Sequence, residues 1–258
     1  MNGGNIVRIF HPCISFFVPH KLILSQLEAV IPFFLTKIFM VCFFVNKTFI
    51  NMKNYSRRYA ELNAIFQLGK DTRLPESNIE VQFYSFHSDL QLVNNDSKIV
   101  NSADVLISEN LSFVYPVFIP SGISRTDKAI LLLHGLNERN WNKYLSWAEY
   151  LCEKTGKPVI LFPLAYHMNR SPSIWTNPRA MKPVMDLRQT RNGEDRSMSI
   201  ANVALSERIC EKPYRFYSSG RQSMFDLSQL AGEIKEGKHA LFGEDTRIDI
   251  FAYSIGAF

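Results

Sequence analysis

Two short, wholly apolar runs separated by one amphipathic stretch constrain the fold of this chain more than any other feature. Ala129 to Leu133 reads AILLL, and Pro158 to Phe162 reads PVILF. A strand with apolar residues at every position has to be covered on both faces, which is the situation of a strand inside a parallel sheet. Between the runs, Asn140 to Lys154 places Trp141, Tyr144, Leu145, Ala148, Leu151 and Cys152 on one helical face, and Gly156 followed by Pro158 supplies a C-terminal stop. Strand, helix and strand at this spacing form a right-handed βαβ crossover. The expectation is therefore an α/β fold, with a mostly parallel central sheet and flanking helices.

Further elements extend the pattern on both sides. Ile79 to Phe86 alternates, with Ile79, Val81 and Phe83 on one side, and reads as a strand. Phe113 to Ile119 (FVYPVFI) reads as another, and Pro116, which has no N–H for a ladder, suggests an edge position. Gln222 to Lys235 has helical spacing through Met224, Leu227, Ala231 and Ile234; after Gly237 the chain reaches a fifth strand, Arg247 to Ala252 (RIDIFA). From about 164 to 220 no strand pattern stands out, and Pro172, Pro178, Pro183 and Pro213 break the region into short pieces, so it reads as a cap-like insertion. Its aromatic residues, Tyr166, Trp175, Tyr214, Phe216 and Tyr217, suit either a lid over a substrate pocket or packing onto the sheet.

Residues 1–51 differ from everything after them. Glu28 is the one acidic residue in the first fifty, and Ile31 to Val45 (IPFFLTKIFMVCFFV) is a Phe-rich run interrupted by Lys37. That run is shorter than the roughly 18 to 20 apolar residues a spanning helix needs, and a central lysine costs on the order of 3 kcal/mol on insertion. No cleavage site follows it. The segment reads as an atypical extension, arising either from a mis-assigned start, with translation beginning at Met52, or from a signal anchor. After Met52 the character changes: Tyr55, Tyr59, Leu62 and Phe66 form the apolar stripe of an amphipathic helix.

The chemistry sits at strand ends. The last strand runs into Ala252, Tyr253, Ser254, Ile255 and Gly256, a small-x-Ser-x-small arrangement in which a serine on a sharp turn after a strand needs small neighbours for strand and helix to approach. The AILLL strand ends in His134 and Gly135, followed by Leu136 and Asn137, a loop that can offer a backbone N–H to a developing oxyanion. In this order of elements, residues 79 to 258 resemble the α/β-hydrolase superfamily, and are closest to an uncharacterised bacterial hydrolase-like family. The resemblance makes 52–258 a partial α/β-hydrolase domain. It implies Ser254 as nucleophile, the amides of Leu136 and Ile255 as the oxyanion hole, and His134 and Gly135 as its support. It also implies an acid and a histidine after the serine. Only four residues follow Ser254, so the expectation is a C-terminally incomplete hydrolase, inactive as this chain.

The implied function is serine-dependent hydrolysis of an ester, thioester or amide, with a non-catalytic α/β-hydrolase-like binding or scaffold protein as the alternative. The expected partner is a small-molecule or acyl substrate. No cofactor or metal is expected, because Cys13, Cys42, Cys152 and Cys210 are far apart and the histidines show no ligand spacing. Nucleic acid is not expected either: the net charge of +5 comes partly from residues 1–51, and no basic stripe interleaved with aromatics is present. Gly232, Gly237 and Lys238 mimic a phosphate-binding loop, but His239 stands where Ser or Thr is required and the motif ends a helix. The expected location is the cytoplasm, with membrane association only through residues 1–51. Oligomeric state stays open.

Overall fold

The computed structural model describes residues 52–89, 107–172, 175, 177–192, 199, 203 and 214–257. All belong to one compact unit, Ile38–Phe258; the other unit, Met1–Lys37, lies outside the described residues. The elements in chain order are α1 (Met52–Ile65), β1 (Thr72–Arg73), β2 (Ile79–His87), α2 (Ser108–Leu111), β3 (Ser112–Pro120), β4 (Thr126–Leu133), α3 (Asn142–Thr155) and β5 (Val159–Phe162). After a 3-10 turn at Met168–Arg170 come α4 (Pro178–Asn192), α5 (Tyr214–Lys235), β6 (Phe242–Ala252) and a second 3-10 turn, Ser254–Ala257.

The six strands form one sheet in the order β1-β2-β3-β5-β4-β6. β4 lies between β5 and β6 and runs parallel to both, while β1, β2 and β3 add an antiparallel set joined to β5. The apolar runs are explained by layering. Ile130, Leu132, Val159 and Leu161 turn to the face covered by α1 and α3, where Leu62, Trp141, Tyr144, Leu145, Ala148 and Cys152 are buried with them. Ala129, Leu131, Leu133, Ile160 and Phe162 turn to the opposite face, under Leu230 and Ile234 of α5. The fold is α/β, with the parallel strands at the centre and helices on both faces. α3 stops at Gly156, which takes a left-handed φ of 65° and returns its N–H to Cys152 O.

Several expectations need correction. Pro116 is not on an edge: β3 pairs with β2 along its length, Pro116 facing Phe83, and meets β5 at Val117 and Phe118. Contact with β5 begins one residue after Pro116, so the missing N–H falls at the end of that ladder. α5 and β6 both start earlier than expected, at Tyr214 instead of Gln222 and at Phe242 instead of Arg247. Pro183 lies inside α4 instead of ending a piece of chain.

No helix among the described residues is long and apolar enough to cross a membrane. α5, at 22 residues, has the length, but Arg215, Arg221, Asp226, Glu233 and Lys235 interrupt it. The expected localisation is corrected accordingly: an anchor has no support among the described helices, and residues 1–51, on which it was placed, lie outside them.

Two ionic contacts lock the layers. Arg58 of α1 forks onto Glu149 of α3, its Nε 2.9 Å from Oε2, and donates to Pro75 O at 2.7 Å. Arg170 and Asp226, fully buried, meet at 2.6 Å and tie the loop after β5 to α5. Arg170 also donates to Pro163 O (3.0 Å) and Asn110 O (2.9 Å) and stacks on Phe113, while Ser88 donates to the other oxygen of Asp226 at 2.5 Å. Burial pulls the Arg170 pKa down, and Asp226 opposes that shift. Removing one member of such a pair strands a buried charge. Arg170→Met is expected to cost about 3–5 kcal/mol in urea denaturation, and Arg170→Met with Asp226→Leu to recover part of the loss.

Candidate active site at the strand ends

The two segments singled out in the sequence meet at the carboxyl ends of β4 and β6. Leu133 pairs with Ala252 at the end of the parallel ladder, and Tyr253 N–H continues it to Leu133 O at 3.0 Å. The chain then turns sharply. Ser254 has a φ of 55°, in the left-handed region that a β-carbon disfavours, and Gly256 N–H closes the turn on Tyr253 O at 3.1 Å. A non-glycine residue held there costs of order 1–3 kcal/mol. The Ser254 side chain is exposed at this corner.

Gly256 explains the tightness of the turn. A β-carbon there would lie 2.8 Å from His134 O and Leu133 Cβ and 3.0 Å from Leu133 C. The end of β4, the neighbouring strand, is thus one reason this position needs a small residue. Gly135 answers from the other side: its missing β-carbon leaves room for the Tyr253 ring, whose atoms would be 3.0 and 3.1 Å away.

His134 is fully buried and fixed by two backbone groups. Leu164 N–H donates to its Nε2 at 2.9 Å, so the ring proton sits on Nδ1, which donates to Gly135 O at 2.8 Å. Burial, reinforced by the nearby His167, lowers its pKa to about 3. A neutral imidazole with both nitrogens engaged holds the loop and does not move protons. It also couples the loop after β4 to the loop after β5, as does Met168 N–H on Glu138 O (3.1 Å).

Sequence reasoning missed the group beneath this loop. Tyr144 of α3 accepts Gly135 N–H at 2.8 Å and donates to Glu138 Oε1 at 2.9 Å. Lys143 pairs with Glu138 and lies 4.2 Å from the centre of the Tyr253 ring. Tyr144 occupies an ordinary core position of an amphipathic helix, so its spacing carries no sign of the hydroxyl's role. Leu136, exposed, and Ile255, half-buried, flank these contacts.

Phe216 and Tyr217 are exposed on α5, Tyr166 is buried with its ring 6.3 Å from Trp175, and the Tyr214 side chain lies outside the described residues. Two surface hollows, one of about 460 Å³ lined by Arg73 to Asn78 and one of about 590 Å³ between the end of β2 and α5, include no residue of the Ser254 turn. Gly237 and Lys238 follow the C-terminal end of α5, where carbonyls and not amides are unpaired, which is the wrong polarity for phosphate.

Comparison with known proteins adds three findings. A family model described as a family of unknown function matches residues 52–258. No curated protein matches. Among solved structures, the crystal structure of a putative acetyl xylan esterase from Bacteroides fragilis NCTC 9343 matches at 12% identity with a TM-score of 0.38, over 79% of this chain and 46% of that one. This chain thus spans about half the length of that protein.

Two measurements probe this geometry. Glycine relieves left-handed strain at about 1–2 kcal/mol, so Ser254→Gly is expected to raise unfolding stability by about 1 kcal/mol, with Ser254→Ala giving no gain. The histidines add a pH dependence. His239 is lowered by burial to about 4 and His134 to about 3, whereas unfolded histidine titrates near 6.5. Below about pH 6.5 the unfolded chain binds the protons and the folded chain does not, so stability present at neutral pH is lost as pH falls towards 4 and then 3. Each histidine adds a slope of about 1.4 kcal/mol per pH unit. Urea midpoints should fall across that window, and less steeply in His239→Asn, whose amide oxygen can still accept the Leu241 N–H that His239 Nδ1 takes at 3.1 Å.

Proposed function

The chain belongs to DUF6051, a family of unknown function, and we propose that within it this protein is a serine-dependent hydrolase of α/β-hydrolase type, acting on an ester, thioester or amide. One observation carries the reading: Ser254 stands in a left-handed conformation at the exposed corner after β6, packed through Gly256 against the His134 and Leu133 backbone. An exposed serine held at the cost of backbone strain is the usual condition of a nucleophile on a strand-to-helix turn.

In this mechanism Ser254 Oγ attacks the substrate carbonyl carbon, and the carbonyl π electrons move onto oxygen. The amides of Leu136 and Ile255 receive that oxyanion; those of Gly135 and Gly256 are already taken, by Tyr144 and by Tyr253 O. His134 supports the loop. It is not the general base, because both its nitrogens hold backbone groups. The Ser254 proton passes to the histidine base that a hydrolase of this type carries after its nucleophile, and from it to the alcohol, thiol or amine expelled as the tetrahedral intermediate collapses. Water then adds to the acyl carbon by the same proton route, releasing the acid and restoring the Ser254 hydroxyl. The partner is a small-molecule or acyl substrate.

A fluorophosphonate probe applied to the intact gene product tests the reading. Covalent labelling that maps to Ser254 and falls to background in Ser254→Ala is expected. If wild type and Ser254→Ala are equally unlabelled, the hydrolase reading fails and a binding or scaffold role takes its place.

A further inference from the structure

The loop between β4 and α3 carries two amides that could face an oxyanion, those of Gly135 and Leu136, and one side chain bears on the choice between them. The Tyr144 hydroxyl is buried beneath the loop and makes two contacts: it accepts Gly135 N–H at 2.8 Å and donates to Glu138 Oε1 at 2.9 Å. The direction is set by chemistry. An ionised carboxylate only accepts and an amide N–H only donates, so the single phenolic proton points to Glu138 and a lone pair to Gly135. Both ends of the segment from Gly135 to Glu138 are therefore held on one oxygen atom.

We propose that Tyr144 is a positioning residue which, by holding Gly135 and Glu138 together, withdraws the Gly135 amide and makes the Leu136 amide the loop's donor to the oxyanion. The inference rests on the reading of Ser254 as nucleophile. Three further contacts brace the same segment. Glu138 O accepts Met168 N–H at 3.1 Å, Lys143 pairs with the Glu138 carboxylate, and Asn137 takes a φ of 59° that turns the chain between the two anchored residues. The Tyr253 ring, one residue before Ser254, rests on Gly135 and under Lys143, so the anchored loop and the nucleophile turn share a contact. Burial and the Glu138 carboxylate hold the Tyr144 pKa well above its ordinary value, keeping the hydroxyl proton in place.

The test is the kinetics of fluorophosphonate labelling in Tyr144→Phe, which keeps the ring and removes the two hydrogen bonds. Losing one aligned oxyanion donor lowers rates by about 10²–10³, and misplacing a group by 1 Å costs about 10². The expected result is a maximal labelling rate lowered about 10- to 100-fold, with the probe concentration at half-maximal rate unchanged. Amide exchange at Gly135, followed with ¹⁵N-glycine, should accelerate in the same variant. Should Tyr144→Phe fail to fold, Glu138→Ala loosens the other end of the segment; a lowered maximal rate there, largely restored in Glu138→Gln, which keeps an acceptor for the hydroxyl, supports the same conclusion. Wild-type labelling with an undiminished maximal rate in folded Tyr144→Phe, or in Glu138→Ala where the first variant does not fold, overturns this inference alone. Absence of labelling in the wild type overturns the hydrolase reading, and this inference with it.

Discussion

The buried contact between Arg170 and Asp226 holds together the part of the molecule on which the candidate site depends. Two charges removed from water are costly, and this pair is supported by Pro163 O and Asn110 O on Arg170 and by the Ser88 hydroxyl on Asp226, while Arg170 Nε is buried without a partner among the described residues. What the contact achieves is placement. It fixes the loop after β5 against α5, where Ser219 and Ser223 also hold Ala165 through its O and N–H. The fixed loop then presents Leu164 N–H to His134 and Met168 N–H to Glu138. Control of the loop after β4 thus begins at a salt bridge on the other side of the sheet's end.

Backbone strain follows the same geography. Four of the five described non-glycine residues with positive φ, Asn137, Tyr166, Met168 and Ser254, lie in the loops that leave β4, β5 and β6 at their carboxyl ends. Open α/β sheets place ligands at that end, because the loops there are free to diverge while the strands beneath are fixed. Strain of this kind persists only where surrounding contacts over-determine the backbone. Here the contacts are visible: Gly256 against β4, Gly135 under Tyr253, and the Tyr144 hydroxyl beneath the loop.

Much of this was legible in order but not in detail. AILLL and PVILF announced strands buried on both faces, since double-sided burial removes alternation, and Gly156 announced the end of α3 because a left-handed cap suits glycine. Pro116 misled, because its missing N–H matters only where a neighbour needs it, and that depends on a register no local pattern contains. The Ser254 pattern stood out through its place after an apolar strand, while one reason for Gly256 lay about 120 positions upstream in β4. Arg170 and Asp226, 56 positions apart, carried no sign of each other.

By itself the sequence determined the α/β class, the runs that form the sheet's centre, and the two short segments at which chemistry is expected, because burial and turn geometry act on neighbouring residues and leave periodic marks. The tertiary structure alone decided which strands adjoin, that the two segments touch, which proton His134 carries, and that a core tyrosine reaches the loop. Those outcomes depend on contacts between residues far apart in the chain, and a pairing across distance leaves no mark in either partner's local sequence.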